Sequence, residues 1–320
     1  MPAQSIVDPA TRTVPWPGEL VPLQSPGARG ARREMRLMLR RTPGPAGAPL
    51  AFHVHGLGGS STNWTDLSTA ISGQLSSVAV DLPGFGLSDP APDKDYSIAS
   101  NARWVIAAIE QQASGPVHLT GNSMGGLIAI AVTASRPDLV ASLTLISPAV
   151  PGFDTTADSD PRMALLALPY LGPRLQRRLG RVEAQKRAQM TIDLCFADQS
   201  RVTPERLAQA AAEVQARSGL PWTVAAFTRS LRSIVAVHLH RRPSNPWRLA
   251  ASIGVPTMVI WGDRDRLVPV TRAARLASVI TDSQLRIFEN VGHTAMLEVP
   301  ELTADAMLEL VSAASGRVSA

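Results

Sequence analysis

Ser123 stands at the centre of Gly121-Asn-Ser-Met-Gly125, a stretch that fits G-x-S-x-G. The apolar run Pro116-Val-His-Leu-Thr120 precedes it, and Gly126–Ser135, with the length and alanine content of a buried helix, follows. The pentapeptide therefore falls on a turn from strand to helix. A serine there is exposed at the tip of a strained corner, and the flanking glycines let neighbouring backbone pass without a Cβ clash. The amide of Met124 opens the helix, where an unpaired N–H and the positive end of the dipole favour a developing negative charge. A serine hydroxyl is a weak nucleophile near neutral pH, so this corner needs a base within hydrogen-bond reach and a carboxylate to hold the base.

The chain offers six histidines. His53 and His55 lie on an early strand, His118 in the strand leading to Ser123, and His238 and His240 in a helix-like region. His293 lies in Glu289-Asn-Val-Gly-His-Thr294, directly past the apolar run ending at Phe288. Loops at the carboxyl edge of an open α/β sheet are where sites form, which makes His293 the expected base. Trp261-Gly-Asp-Arg-Asp-Arg-Leu-Val-Pro269, also just past a buried run, supplies Asp263 and Asp265, and either completes the chain order serine, aspartate, histidine. Asp265 is taken ahead of Asp263. A second donor for an oxyanion is expected from the loop after the early strand, where His55-Gly-Leu-Gly-Gly59 places the amide of Leu57.

The elements that must position these residues alternate. Strand-like runs at Arg36–Arg40, Leu50–His55, Ser77–Asp81, Pro116–Thr120, Leu143–Pro148, Pro256–Gly262 and Gln284–Phe288 are separated by helix-like runs at Asn63–Leu75, Ser97–Ala113, Gly126–Ser135 and Thr271–Ile280, with a last helix over Glu301–Ala314. Such a rhythm predicts an α/β fold with a mostly parallel central sheet and helices on both faces. The rhythm stops over residues 151–249, where helix-like stretches at Arg162–Leu171, Val182–Phe196, Pro204–Ser218 and Thr223–Leu239 follow one another, predicting an inserted helical cap between core segments 34–150 and 250–320. Within it Ala164–Leu171 and Ile234–Val237 are candidate walls of an apolar pocket. Residues 1–33, with Pro15, Pro17, Pro22 and Pro26, predict an extended arm outside the core.

Composition narrows the classes. A chain of 320 residues that is 45% hydrophobic buries a sizeable core. Its excess of positive charge sits in residues 151–250, which hold 14 Arg and one Lys against eight acids. Those arginines come singly or in pairs without interleaved aromatics, the pattern of solvated helix faces, and no nucleic-acid partner is expected. Cys195 is the single cysteine and reads as a small core hydrophobe. Nothing resembles a signal peptide or a membrane span, so a cytoplasmic protein is expected. Gly56-x-Gly58-Gly59 and Gly84-x-Gly86 are not followed by the third glycine of a dinucleotide fingerprint, and His53/His55 and His238/His240 make poor metal pairs, so neither cofactor nor metal is expected. The expected partner is a small-molecule substrate, with a homodimer left open.

Taken together, the His55-Gly56 loop, Asp81-Leu-Pro-Gly-Phe-Gly-Leu-Ser-Asp89, Gly121-Asn-Ser-Met-Gly-Gly126, Gly262-Asp-Arg-Asp265 with Val268-Pro269, and Gly292-His293 resemble the α/β-hydrolase family over nearly everything after residue 35. The resemblance implies a triad of Ser123, Asp265 and His293, an oxyanion hole from the Leu57 and Met124 amides, and a cap formed by the insertion. With the apolar stretches of the insertion as pocket walls, the expected reaction is acyl transfer on a carboxylic ester with an apolar acyl or aryl group. The Gly-Asn-Ser-Met-Gly-Gly turn resembles that of hydrolases cleaving carbon–carbon bonds in ring-fission dienoates, from which this chain differs in the loop His55-Gly-Leu-Gly-Gly-Ser60 and in Thr294 after the histidine. Cofactor-free perhydrolase or haloperoxidase chemistry and a non-catalytic binding role are the remaining alternatives, whereas Ser123 in place of an aspartate speaks against dehalogenase and epoxide-hydrolase chemistry.

Overall fold

A strand buried on both faces reads as a continuous apolar run rather than an alternating one. Strand β5 (Val117–Asn122) and strand β7 (Thr257–Gly262) are of this kind, with each residue buried. The computed structural model of the chain describes residues 14–26, 32–152, 168, 170–239 and 244–318. Its sheet contains β1 (Gly18–Pro26), β2 (Arg32–Thr42), β3 (Leu50–Val54), β4 (Ser76–Val80), β5, β6 (Val140–Ile146), β7 and β8 (Ser283–Phe288). The eight strands lie in the order β1-β2-β4-β3-β5-β6-β7-β8, antiparallel from β1 to β4 and parallel across the rest.

Helices cover both faces. One core packs Trp104, Val105 and Ile109 of α2 (Ile98–Gln112), Ile128 and Val132 of α3 (Met124–Ser135) and Leu276 of α9 (Thr271–Val279) against Phe52, Val54, Leu119, Val259 and Trp261. The other packs Trp64, with Leu67 and Ile71 of α1 (Thr65–Ile71), and Met307 and Leu310 of α11 (Pro300–Val318) against Ala51, Ala79, Met258 and Ile260. Phe52 and Val54 on one face with Ala51 on the other follow the period of two along β3. Each large apolar side chain so buried contributes about 1.5–3 kcal/mol.

Between β6 and β7 the described residues form helices only: α4 (Leu171–Leu179), α5 (Ala184–Cys195), α6 (Pro204–Ser218), α7 (Thr223–Leu239) and α8 (Pro246–Ala251). Local chemistry fixes their starts. Thr203 accepts the Arg206 amide on its side chain and Asn245 the Trp247 amide, each followed by a proline in the first turn. The stretches expected at 204–218 and 223–239 form with those bounds, and the one at 182–196 is helical over Ala184–Cys195. Of the helix expected at Arg162–Leu171, residues 162–167 and 169 lie outside the described residues, and Leu168, Tyr170 and Leu171 are exposed. Ile234 is buried and Val237 packs against the first core, while Val235 is exposed.

One expectation is corrected. Residues 18–26, placed in an extended arm outside the core, form the edge strand β1, paired with β2 from Gly18–Arg40 to Pro26–Arg32. Val21, Leu23 and Ser25 are buried while Pro22 and Gln24 are exposed. Pro22 is tolerated because an edge strand has an outward row of N–H groups with no ladder partner to lose.

The connections reverse direction at β3, which lies between β4 on one side and β5 on the other. Such a reversal is the place in open α/β sheets where ligands bind, outside the carboxyl ends of the strands.

Candidate functional site

Ser123 follows β5 at φ 54° and ψ −116°, left-handed backbone that a serine adopts only under constraint, and its side chain is half-buried. The constraint is packing around the corner. A Cβ on Gly125 would run into the Val54 carbonyl, and one on Gly56 would lie 2.9 Å from Asn122 Oδ1 and 3.1 Å from the Ser123 Cβ. The loop after β3 therefore passes directly over the serine, and only glycine permits that approach.

Two amides border this corner. Met124 is the first residue of α3, where helix geometry supplies no acceptor for its N–H, and Leu57 lies on the loop following β3. Neither amide donates a hydrogen bond among the described residues. Backbone N–H groups inside proteins nearly always have partners, so two without one near a strained serine are free to meet an acceptor from outside the chain.

His293 and Asp265 meet in the buried interior, Nδ1 to Oδ2 at 2.8 Å. The other carboxylate oxygen accepts the Leu267 and Val268 amides, each at 2.9 Å, and Trp261 Nε1 donates to the Val268 carbonyl at 3.0 Å, so the acid is held from both sides. With an acceptor facing Nδ1, the proton of a neutral ring resides there and Nε2 carries the lone pair. The backbone of His293 is gripped as firmly. Its amide donates to the Cys195 carbonyl at 2.7 Å, and its carbonyl accepts from Asn122 Nδ2 at 3.0 Å.

Asn122 is the link that sequence reasoning missed. Its motif position is open to any residue, and a role in selecting substrate is the natural guess. The side chain is instead buried, its Nδ2 bridging the Ile146 carbonyl at 3.1 Å and that of His293. No hydrogen bond joins the Ser123 hydroxyl to His293 among the described residues, and the two loops are tied to each other through Asn122. Catalytic hydrogen bonds are commonly loose before substrate arrives.

The other candidates sit elsewhere. Asp263 forms an exposed ion pair with Arg264 at 3.7 Å and accepts the Val291 amide at 3.4 Å. His55 accepts the Leu82 amide on Nε2 at 3.0 Å and donates from Nδ1 to the Gly56 carbonyl at 2.7 Å, and burial pushes its pKa down to about 4. It is a neutral strut for the Leu57 loop. His53 is stacked on Trp64 and pushed by burial to about 3, and His118 bonds the Ser142 hydroxyl at 2.8 Å. The side chains of His238 and His240 lie outside the described residues. Burial, with Asp265 and Glu298 nearby, raises the Cys195 thiol to about 12, which leaves it protonated and unreactive.

The inserted helices bear on the same loops. Arg217 of α6 donates to the carbonyls of Gly58 and Gly59 at 2.9 and 3.3 Å, and Ser60 donates to Glu213 at 3.1 Å. Near the start of α6, Arg206 is ion-paired with the buried Asp66 of α1. The Phe227 ring of α7 covers Gly58.

A family model described as alpha/beta hydrolase fold matches residues 52–300. A 2-hydroxy-6-oxononadienedioate/2-hydroxy-6-oxononatrienedioate hydrolase of Escherichia coli is 28% identical over 263 residues, covering 81% of this chain and 84% of that one. Among solved structures, a putative lipase of Acinetobacter baumannii is similar at TM-score 0.70 and 22% identity, over 93% of each chain. A meta-cleavage product hydrolase of Pseudomonas fluorescens is similar at TM-score 0.71 and 21% identity, over 92% of this chain and 98% of that one.

Proposed function

The chain belongs to the α/β-hydrolase fold family and is a hydrolase, and from that premise we propose that it cleaves carboxylic esters through a serine-bound acyl intermediate. Ser123 is the nucleophile, His293 the base, Asp265 its orienting acid, and the helices between β6 and β7 form a cap over the site. The observation that carries the reading is the pair of amides, Leu57 and Met124, left without acceptors near a serine held at φ 54°.

In this mechanism His293 Nε2 takes the Ser123 proton as the hydroxyl attacks the ester carbonyl. The carbonyl oxygen becomes an oxyanion and accepts both amides, a preorganised pair of which each member is worth about 10²–10³ in rate. Collapse expels the alcohol, which receives the proton back from His293. A water deprotonated by the same ring then releases the acid and restores the serine. Asp265 keeps Nδ1 as the donor throughout, so Nε2 is always the nitrogen that turns over.

Replacing Ser123→Ala is expected to abolish turnover of p-nitrophenyl butyrate and labelling by a fluorophosphonate probe while leaving the melting temperature within about 3 °C of wild type. An alanine variant that still turns over the ester would overturn the assignment.

A second reading is hydrolysis of a carbon–carbon bond in a ring-fission dienoate. It rests on the named activity of the E. coli relative and on the Gly-Asn-Ser-Met-Gly-Gly turn. Thr294 and the His55-Gly-Leu-Gly-Gly loop depart from that group, which puts ester cleavage first. Bleaching of the visible absorbance of such a dienoate, absent in Ser123→Ala, decides between them.

A further inference from the structure

Glu298 ends the short helix α10 (Ala295–Glu298), one turn and a half beyond His293. A glutamate is among the residues least often fully buried, yet this side chain has 0% exposure. Both of its oxygens accept. Oε2 takes the amide of Gly292 at 2.7 Å, and Oε1 takes the amides of Ala197 and Asp198 at 3.0 and 2.9 Å and Arg201 Nη1 at 3.3 Å. A buried acid is tolerable only when donors surround it in this way.

The donors come from two segments far apart in the chain. Gly292 leads directly into His293, whereas Ala197, Asp198 and Arg201 belong to the turn after α5. The seam between the two is closed on both sides of Glu298. His293 donates its amide to Cys195, Arg201 Nη1 also donates to the Asn290 carbonyl at 3.1 Å, and Arg266 donates to the Asp193 carbonyl at 3.1 Å. A Cβ on Gly292 would run into the Cys195 carbonyl, so the two backbones are in direct contact.

The geometry points to Glu298 as a positioning residue: one carboxylate fixes the loop that presents His293 to the turn after α5, so that the cap and the base are held as one body. The inference rests on the reading of His293 as base. Glu298 touches no reacting atom and acts through the backbone of Gly292. The Leu57 loop has a separate cap contact in Arg217, so the base loop and the oxyanion loop are each braced by a different part of the insertion.

Glu298→Gln is the discriminating variant because it keeps the shape and replaces one acceptor with an NH₂ donor. That donor must face either the Gly292 amide or the Ala197 and Asp198 amides, and one side of the clasp is lost. Measured well below its melting temperature, the variant is expected to lose roughly 10- to 100-fold in kcat on p-nitrophenyl acetate with KM within threefold of wild type. Fluorophosphonate labelling, which reads activation of Ser123 without the deacylation step, is expected to slow by the same factor. Unchanged kcat and labelling beside a lowered melting temperature would reduce Glu298 to a stabilising residue and overturn the inference. If Glu298→Gln does not fold, Arg201→Ala removes one donor and leaves the three amides, and a several-fold loss of kcat is expected; wild-type kcat would overturn the inference. A readout independent of turnover is the ¹H–¹⁵N spectrum of the histidine rings, in which the His293 signals are expected to shift or broaden in either variant. An unchanged His293 spectrum counts against the clasp even if the wild-type protein hydrolyses no ester, a result that would instead overturn the hydrolytic roles of Ser123 and His293.

Discussion

Asp265→Asn separates orientation of the base from stability of the fold. Asp265 Oδ1 accepts two amides, from Leu267 and Val268, and Oδ2 faces His293 Nδ1. An asparagine in this place keeps its carbonyl oxygen toward the two amides, since turning its NH₂ that way would set donors against donors. The NH₂ is thereby directed at Nδ1, which must accept, and the ring proton moves to Nε2. In that tautomer Nε2 cannot take the Ser123 proton. Loss of the base in this manner is worth about 10³–10⁴ in kcat, on the order of 4–5.5 kcal/mol of transition-state stabilisation. No buried group is orphaned, so stability should change by less than about 1 kcal/mol. Asp265→Ala differs, because it strands two amides and the imidazole N–H, each at a cost of about 1–3 kcal/mol. The assay is kcat on p-nitrophenyl butyrate at pH 7.5 together with calorimetric melting of both variants. Inactive and stable is expected for asparagine, inactive and destabilised for alanine. An asparagine variant keeping more than a tenth of wild-type kcat would refute the reasoning.

Two further perturbations test the scaffold. In Gly125→Ala the new methyl group meets the Val54 carbonyl and lies 2.6 Å from that of His55, whereas a Cβ on Gly115 meets nothing within 4 Å. The first should cost about 1–3 kcal/mol, or several degrees of melting temperature, and slow fluorophosphonate labelling, while Gly115→Ala stays close to wild type; equal melting of the two variants would contradict the tight corner. Burial holds the pKa of His53 at about 3 against an ordinary value near 6.5. Between those values the unfolded chain binds a proton that the folded chain refuses, so stability is lost as pH falls, by up to about 1.4 kcal/mol per pH unit. Neither ring nitrogen of His53 has a hydrogen-bond partner among the described residues, and the ring stacks on Trp64 at 5.0 Å. His53→Phe preserves the stack and should flatten the fall in melting temperature between pH 6.5 and 4, with His55 at about 4 and His118, also lowered by burial, supplying the residual slope. Parallel curves for the two proteins would count against that assignment.

The sheet was legible because its central strands are covered on both faces and so appear as unbroken apolar runs, and because each ends in a loop with Gly, Asp or His at recognisable spacing. The pairing of His293 with Asp265 followed from where their loops leave the sheet. What the sequence hid is of three physical kinds. β1 was obscured by its prolines, although Val21, Leu23 and Ser25 at alternate positions carry the signal of a strand with one face buried. Asn122 was hidden because a variable motif position says nothing about which way its side chain turns. Glu298 was hidden because its burial depends on amides supplied by a segment close to a hundred residues away, a long-range contact with no local pattern. The helix expected over Asn63–Leu75 is shorter for a local reason: it begins as a 3-10 turn at Ser61–Trp64, and α1 ends at Ile71 where Ser72-Gly73 follows.

Ser123 and Leu57 hang from β5 and β3 at the middle of the sheet, whereas Asp265 and His293 hang from β7 and β8, which have no place to dock until β6 is in position. Asn122 and His293, whose bond joins the two halves, are 171 residues apart. At a synthesis rate of about 5–20 residues per second, the Ser123 turn emerges roughly ten to thirty seconds before His293 does. On the proposed roles a nascent chain would carry its serine without a base until its last strands close the sheet, so the proposed hydrolytic power would arrive only with a finished fold.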